Sequence, residues 1–222
     1  MELRVDDALS ARAGNEDSAR VVEGLVQQGW VVVPGFLGDT LVEQLRSEIM
    51  VLQARDELQR AGIGREQDHH RNDLIRRDKT FWLDGSTLAQ CRYLELMEQL
   101  RLEINRELFL GLFDFEAHFA LYEAGGFYRK HLDAFQGRSS RVVSVVSYLN
   151  PGWQEQYGGC LNIFDPVGRD CVAQVVPEAG TLVCFLSEQI PHEVTLAQQS
   201  RCSIAGWFRR NESIGGLVDP AT

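Results

Sequence analysis

The half of the chain that follows Gly111 consists of short apolar runs separated by turn residues. Across 115–122 apolar side chains occupy every second position, which is the period of a strand with one buried face. Glycine, proline or aspartate separates consecutive runs, as at Asn150-Pro151-Gly152. Further strands are predicted near 127–133, 141–149, 159–164, 170–176, 181–187, 191–195 and 201–208. About eight short strands separated in this way are typical of a double-sheet jelly roll or a similar sandwich.

The N-terminal half has a helical period instead. Its predicted elements are a helix from about residue 17 to 29, a strand over 30–33, a helix from 39 or 40, a strand or hairpin arm over 74–84 and a helix from about 86 to 109. Leu41, Leu45, Ile49 and Leu52 form one apolar stripe along the second helix. We expect the helices to pack on one sheet, so the fold is predicted to be α+β and mainly β.

The length of 222 residues fits a single domain. We expect a flexible N-terminus over 1–16, one domain over 17–210 and a short tail over 211–222. Within the domain, the helical support is predicted over 17–110 and the jelly-roll core over 113–209.

Charge and cysteine content limit the partners and the compartment. A net charge of -10 argues against a broad surface for nucleic acid or for anionic lipid. No apolar run reaches the roughly 18 residues that a membrane helix needs, and the start of the chain lacks the apolar core of a secretory signal. An odd number of cysteines without close pairs predicts free thiols and a reducing, cytoplasmic compartment. These are Cys91, Cys160, Cys171, Cys184 and Cys202.

Three residues in the strand-rich half have the types and spacing of a metal site. His131 and Asp133 are two positions apart in a predicted strand, so both side chains can reach one point. His192 follows an apolar run at the expected end of another strand. Two imidazoles and one carboxylate form the facial triad of non-haem Fe(II) oxygenases. Taken alone, however, a His-x-Asp pair is more often a strand-end histidine hydrogen-bonded to a turn aspartate.

Arg201 and Tyr148 could form an anion site beside such a metal. Arg201 begins an apolar strand nine residues after His192. If its side chain points between the sheets it needs a carboxylate partner, because a buried unpaired charge is very unfavourable. Tyr148 lies among strand valines, and its hydroxyl could bind the same carboxylate. The ordinary alternatives are an arginine that caps a sheet edge and a tyrosine that fills the core.

The ordered set of these residues resembles the Fe(II)/2-oxoglutarate dioxygenases, and among them the prolyl 4-hydroxylases of the hypoxia-inducible-factor type. The resemblance runs from about Gly29 to Arg209. The motifs that carry it are Tyr122, Tyr128-x-x-His131-x-Asp133, Tyr148-Leu149-Asn150, Gly158-Gly159-x-Leu161-x-Ile163-Phe164, Pro191-His192-Glu193-Val194 and Arg201-x-x-Ile204-x-x-Trp207. Upstream, Ile75-Arg76-Arg77-Asp78-Lys79-x-x-Trp82 is similar to the mobile segment that closes over substrate in that subfamily.

The resemblance implies a double-stranded β-helix of the cupin-like jelly-roll type and a role for each matched residue. It implies His131, Asp133 and His192 as iron ligands. It implies Arg201 and Tyr148 as partners of the far carboxylate of 2-oxoglutarate, with Tyr128 near the iron and the co-substrate. It places Tyr122 and Trp207 on the substrate side and Arg76 in the closing loop. The implied cofactors are Fe(II), 2-oxoglutarate and O2, with ascorbate as a further candidate.

The implied activity is prolyl 4-hydroxylation of a protein, with succinate and CO2 as products and elongation factor Tu as one candidate target. It also implies a monomer without a nucleic-acid or membrane partner. Alternatives are hydroxylation of another residue, of free proline or of a small metabolite, and a non-catalytic sensor module that binds iron or 2-oxoglutarate. A zinc hydrolase would use the same three ligands but would leave Arg201 and Tyr148 without a role. His69 and His70 would point apart in extended chain and are not expected to share a metal.

Overall fold

The computed structural model describes residues 5–61, 74–134, 139–211, 213–214 and 217–218. His69 and His70 lie outside these residues. Within them the helices are α1 (Val5–Gln28), α2 (Asp39–Ala54) and α3 (Leu88–Leu108). The strands are β1 (Trp30–Val33), β2 (Gln59–Arg60), β3 (Lys79–Trp82), β4 (Leu112–Tyr122), β5 (Tyr128–His131), β6 (Arg141–Tyr148), β7 (Leu161–Phe164), β8 (Cys171–Val175), β9 (Leu182–Leu186), β10 (His192–Val194), β11 (Arg201–Arg210), β12 (Ser213–Ile214) and β13 (Leu217–Val218).

Two boundaries differ from the sequence-based expectation. Helix α1 begins at Val5 and so includes most of the segment over 1–16, whereas the sequence predicted the first helix only from about residue 17. The alanines and leucine of this segment favour a helix even though no apolar stripe marks the helical period there. Strand β5 ends at His131, so Asp133 lies just beyond the strand in which it was expected.

Most strands form two antiparallel sheets that face each other. The order in the major sheet is β1-β9-β6-β11-β4-β3-β2, and the order in the minor sheet is β5-β10-β7-β8. Apolar side chains from both sheets meet in one buried cluster that includes Tyr148, Leu161, Ile163 and Phe185. The predicted mainly-β jelly roll is therefore confirmed.

The helices cover the outer face of the major sheet. Leu45 and Ile49 of α2 and Leu100 and Ile104 of α3 are buried in one cluster with Val143 and other outward-facing residues of the sheet. Each such side chain contributes about 1.5–3 kcal/mol through removal of apolar surface from water. The expected packing of helices on one sheet is confirmed. None of the described helices is long and apolar enough to cross a membrane.

Alternation along β6 and β11 decides which side chains face the space between the sheets. On β11, Cys202, Ile204 and Phe208 are buried toward the helices. The alternate positions therefore point the other way, and they include Arg201 and Trp207. The sheet thus presents one row of polar and aromatic side chains to the interior, and the candidate site lies along this row.

Candidate metal centre and anion-binding pair

The structure brings His131, Asp133 and His192 together. His131 ends β5 and His192 begins β10, and the two residues are direct partners in the register of the minor sheet. The Oδ1 atom of Asp133 lies 3.4 Å from Nε2 of His131 and 3.7 Å from Nε2 of His192. The ligand atoms of all three residues lie within 4.8 Å of one another, so one metal ion could contact all of them.

Backbone carbonyls orient both imidazoles toward this point. Nδ1 of His131 lies 2.8 Å from the carbonyl oxygen of Arg129, and Nδ1 of His192 lies 3.2 Å from that of Ile190. A carbonyl can only accept, so Nδ1 carries the proton and Nε2 keeps its lone pair. Burial, with a further contribution from His131, lowers the pKa of His192 to about 4. His192 is therefore neutral at neutral pH, as a metal ligand must be.

Two donors from the major sheet hold the other oxygen of Asp133. Oδ2 accepts hydrogen bonds from Oγ of Ser144 at 2.6 Å and from Nε1 of Trp207 at 3.0 Å. Burial by itself would raise the pKa of Asp133, but the two histidines and the Ser144 hydroxyl together hold it well below its ordinary value. The ionised carboxylate thus directs Oδ1 toward the imidazoles. Ser144 was missed by the sequence analysis, although its interior position follows from the alternation along β6.

The donor set fits a divalent metal. Two imidazoles and one carboxylate lie on one side of the point they share, the ligand arrangement of non-haem Fe(II) centres. The nitrogen and oxygen atoms not used for ligation are already hydrogen-bonded to the protein, which is the usual support for such ligands.

Arg201 is a buried cation that has no carboxylate partner among the described residues. It is only 1% exposed and donates to the carbonyl of Gly159 at 2.8 Å and to Oγ of Ser203 at 3.0 Å. Within the described residues no carboxylate lies at ion-pair distance from it. Gly159 leaves space for it, because a Cβ there would lie 3.0 Å from Cδ of Arg201 and the φ angle is +65°. The buried guanidinium of Arg201 is therefore suited to bind the anionic group of a ligand.

Tyr148 adds a donor to the same place. Its hydroxyl is buried and makes no hydrogen bond within the described part of the chain. Burial raises its pKa to about 12, so the phenol remains protonated. The Cζ atom of Arg201 lies 5.0 Å from the ring centre of Tyr148 and 4.9 Å from that of Tyr122. A free hydroxyl beside an unpaired guanidinium suits one carboxylate group.

The structure places the other predicted site residues as follows. Tyr128 stacks on His131 with ring centres 3.6 Å apart. Arg76 lies over Tyr128, with Cζ 4.8 Å from the ring centre, and forms a two-point ion pair with Asp78. Tyr122 is opposite Arg201 in the register of the major sheet, and its expected place on the substrate side stays a prediction. Trp207 directly contacts Asp133 as well.

Replacing Tyr148 by phenylalanine tests whether the free hydroxyl serves a ligand. The free protein should keep its stability, because no hydrogen bond is removed. The KM for a dicarboxylate co-substrate should rise about 10- to 150-fold, the effect of one hydrogen bond to a charged group of about 1.5–3 kcal/mol. Thermal melts and initial rates against co-substrate concentration measure the two effects. An unchanged KM would argue against the contact.

His118 provides a pH prediction for stability. It is 3% exposed, and burial together with the charge of Arg76 lowers its pKa from 6.5 to about 4. Between these values the unfolded chain binds more protons than the folded one, so stability falls as the pH decreases from 6.5 to 4. The contribution is up to about 3 kcal/mol. Urea unfolding of the wild type and of His118→Gln should show a smaller acid-induced loss in the variant, and equal losses would contradict the prediction.

Comparisons with known proteins agree with this geometry. A family model described as the 2OG-Fe(II) oxygenase superfamily matches residues 117–209. The crystal structure of a Pseudomonas putida prolyl-4-hydroxylase is 47% identical, covers 87% of this chain and 99% of its own, and has a TM-score of 0.79. A prolyl hydroxylase from Trichoplax adhaerens, in complex with a peptide fragment of the hypoxia inducible factor oxygen degradation domain, is 25% identical, covers 90% of this chain and 92% of its own, and has a TM-score of 0.80.

The curated proteins include a similar relative. Prolyl hydroxylase EGLN3 from Homo sapiens is 26% identical over 204 residues, which cover 85% of this chain and 81% of the relative. These matches confirm the resemblance drawn from the sequence and the predicted dioxygenase class. The site agrees with these matches, since it combines a triad suited to iron with a buried arginine that could bind a carboxylate. The chain therefore belongs to the 2OG-Fe(II) oxygenase superfamily, whose members require Fe(II), 2-oxoglutarate and O2.

Proposed function

We propose that this protein is a protein prolyl 4-hydroxylase that uses Fe(II), 2-oxoglutarate and O2. The observation that carries the co-substrate is the buried Arg201, which has no carboxylate of its own among the described residues and lies beside the free hydroxyl of Tyr148. The prolyl substrate is supported by the relatives, since both solved structures and the human protein are prolyl hydroxylases.

Each site residue has one proposed task. His131, Asp133 and His192 hold the iron, while Arg201 and Tyr148 bind the far carboxylate of 2-oxoglutarate. Bound iron, 2-oxoglutarate and O2 would together supply the oxidising chemistry: one oxygen atom would enter the substrate and the other would enter succinate, which forms with CO2 from 2-oxoglutarate. Ser144 and Trp207 orient Asp133, and Tyr128 covers one face of His131. The role of Trp207 and Arg76 toward the substrate remains a prediction.

The substrate is proposed to be a proline-containing segment of another protein. The Trichoplax relative was solved with such a peptide, which supports a peptide substrate here. Elongation factor Tu is our candidate target, and cytoplasmic localisation, a monomeric state and the use of ascorbate belong to the same proposal. The net charge of -10 supports a partner other than nucleic acid.

Anaerobic reconstitution with Fe(II) and 2-oxoglutarate, followed by oxygen, tests the proposal. Elongation factor Tu and whole-cell lysate serve as substrates, succinate is measured, and mass spectrometry searches for prolyl residues that carry one added oxygen atom. Succinate coupled to a modified proline supports the full proposal. Succinate coupled to a different modified residue or to a small molecule would replace the prolyl substrate.

The second candidate function is a sensor module that binds iron or 2-oxoglutarate without turnover. It is favoured only if the iron-loaded, folded protein forms no succinate with any of these substrates. The complete triad and the adjacent Arg201 argue against it, because a pure binder does not require every one of these groups.

A further inference from the structure

The indole of Trp207 contacts two charged groups, one with its edge and one with its face. Its Nε1 donates to Oδ2 of Asp133 at 3.0 Å. The guanidinium of Arg141 lies over the ring, with Cζ 3.5 Å from the ring centre. Trp207 is 6% exposed, so both contacts are largely shielded from water. The orientation of the indole therefore determines the direction of the hydrogen bond to Asp133.

Arg141 is itself held in place by a chain of ion pairs. Its Nε donates to Oε1 of Glu116 at 2.8 Å. Oε2 of Glu116 lies 3.2 Å from Arg209, and Arg209 forms a two-point pair with Asp114 at 2.9 and 2.5 Å. These side chains belong to β4, β6 and β11, which are neighbours in the major sheet. The cation over Trp207 is thus fixed to regular strands.

The register of β11 with its two neighbouring strands connects these ion pairs to the candidate metal centre. Trp207 is directly opposite Ser144 on one side and Glu116 on the other. Ser144 and Trp207 both donate to Oδ2 of Asp133, whereas Glu116 holds the cation that lies on the indole. Asp133 lies outside the regular strands, so its orientation depends on these contacts from the major sheet.

The charges indicate that these ion pairs serve the protein itself and do not bind an external ligand. Two arginines and two carboxylates balance one another, and their side chains are between 12% and 25% exposed. Arg201 differs, because it has no protein carboxylate in the described residues and requires an external anion. The four paired side chains of Arg141, Glu116, Arg209 and Asp114 need no external anion. Their mutual pairing does not explain why Arg141 also lies on the ring of Trp207.

We propose that Arg141 is a positioning residue for Asp133 and acts through Trp207. A cation over an indole face is attracted by the ring and holds its plane. The fixed plane directs Nε1–H at Oδ2, which leaves Oδ1 aimed at His131 and His192. A cation over the ring also withdraws electron density and makes the indole N–H a better donor. Arg141 thereby keeps the carboxylate ready for the metal without touching either.

Metal affinity of the substrate-free protein tests this role. The variants are Arg141→Met, Trp207→Phe and the double variant. Arg210→Met is the control, because Arg210 is exposed and lies on the same strand as Trp207. Mn(II), an oxygen-stable probe, is titrated into each metal-free protein. Loss of partners outside the first coordination shell weakens metal binding about 10- to 100-fold, so we expect this loss for Trp207→Phe and about 3- to 10-fold for Arg141→Met.

The double variant decides between action through Trp207 and independent action. If Arg141 acts through the indole, adding Arg141→Met to Trp207→Phe should weaken Mn(II) binding by less than about 2-fold more, which is strong non-additivity. Fully additive losses, or an unchanged affinity in Arg141→Met, would overturn the proposal. Arg141→Gln combined with Glu116→Gln, which removes the cation together with its carboxylate, carries the same test if the methionine variant does not fold. The readout involves no substrate, so it is independent of the prolyl proposal.

Discussion

Asp133→Ala should remove metal binding and with it all succinate formation. Asp133 contributes the only carboxylate of the triad, and its Oδ1 faces both imidazoles. Loss of a partner outside the first shell already weakens metal binding by about 10- to 100-fold, so loss of a ligand should exceed about 100-fold. Mn(II) titration of the metal-free protein measures the affinity, and succinate analysis after reconstitution with Fe(II) measures turnover.

Glu193→Gln is the matched control for the lost negative charge. Glu193 follows His192 in the chain, but its carboxylate accepts a hydrogen bond from Asn162 instead of contacting the triad. The Glu193→Gln variant should bind Mn(II) with the affinity of the wild type. Circular dichroism should show a folded Asp133→Ala protein. If that folded variant binds metal and forms succinate at the wild-type level, Asp133 is not a ligand and the assignment of the centre fails.

Arg201→Met should raise the KM for 2-oxoglutarate by about 100-fold or more. Hydrogen bonds to charged groups are worth about 1.5–3 kcal/mol each, and a guanidinium can make two to one carboxylate. The same change should leave the free protein as stable as the wild type or more stable, because it removes a buried cation that has no carboxylate partner in the described part of the chain. Co-substrate titration and thermal melts in the absence of 2-oxoglutarate measure the two effects.

The combination of weaker co-substrate binding and unchanged or higher stability would show that Arg201 binds the co-substrate and does not hold the fold together. A residue with only a structural role would lose stability together with affinity. Arg201→Lys keeps the charge but not the planar fork, and we expect an intermediate KM. Arg210→Met, an exposed position on the same strand, should change neither quantity. A wild-type KM in Arg201→Met would remove Arg201 from the co-substrate site.

Much of the fold follows from short-range sequence signals. The alternation over 115–122 and the turn residues between later runs predicted the strands of the jelly roll, and the stripe on α2 predicted its buried face. These signals are reliable because strand and helix periods are local properties of the chain. They failed over the first part of α1, before residue 17, where helix propensity without an apolar stripe left no period to detect.

The candidate site was predictable to the extent that residue types carry its chemistry. His131, Asp133, His192 and Arg201 stood out because imidazole, carboxylate and a buried guanidinium are uncommon in apolar strands. Ser144 did not stand out, since a serine in a strand has many ordinary roles. Its contact with Asp133 required knowledge that β6 and the loop after β5 approach each other across the two sheets.

The sequence by itself predicted the jelly-roll architecture, the two histidines and carboxylate of the centre, and the arginine of the anion site. Only the tertiary structure decided that Trp207 contacts Asp133, that Tyr122 is opposite Arg201 in the major sheet, and that Arg141 lies on the indole. The first group depends on local period, on side-chain chemistry and on the resemblance of the ordered motifs to a known family. The second depends on strand register and on how the two sheets face each other, which long-range packing sets and no local pattern encodes.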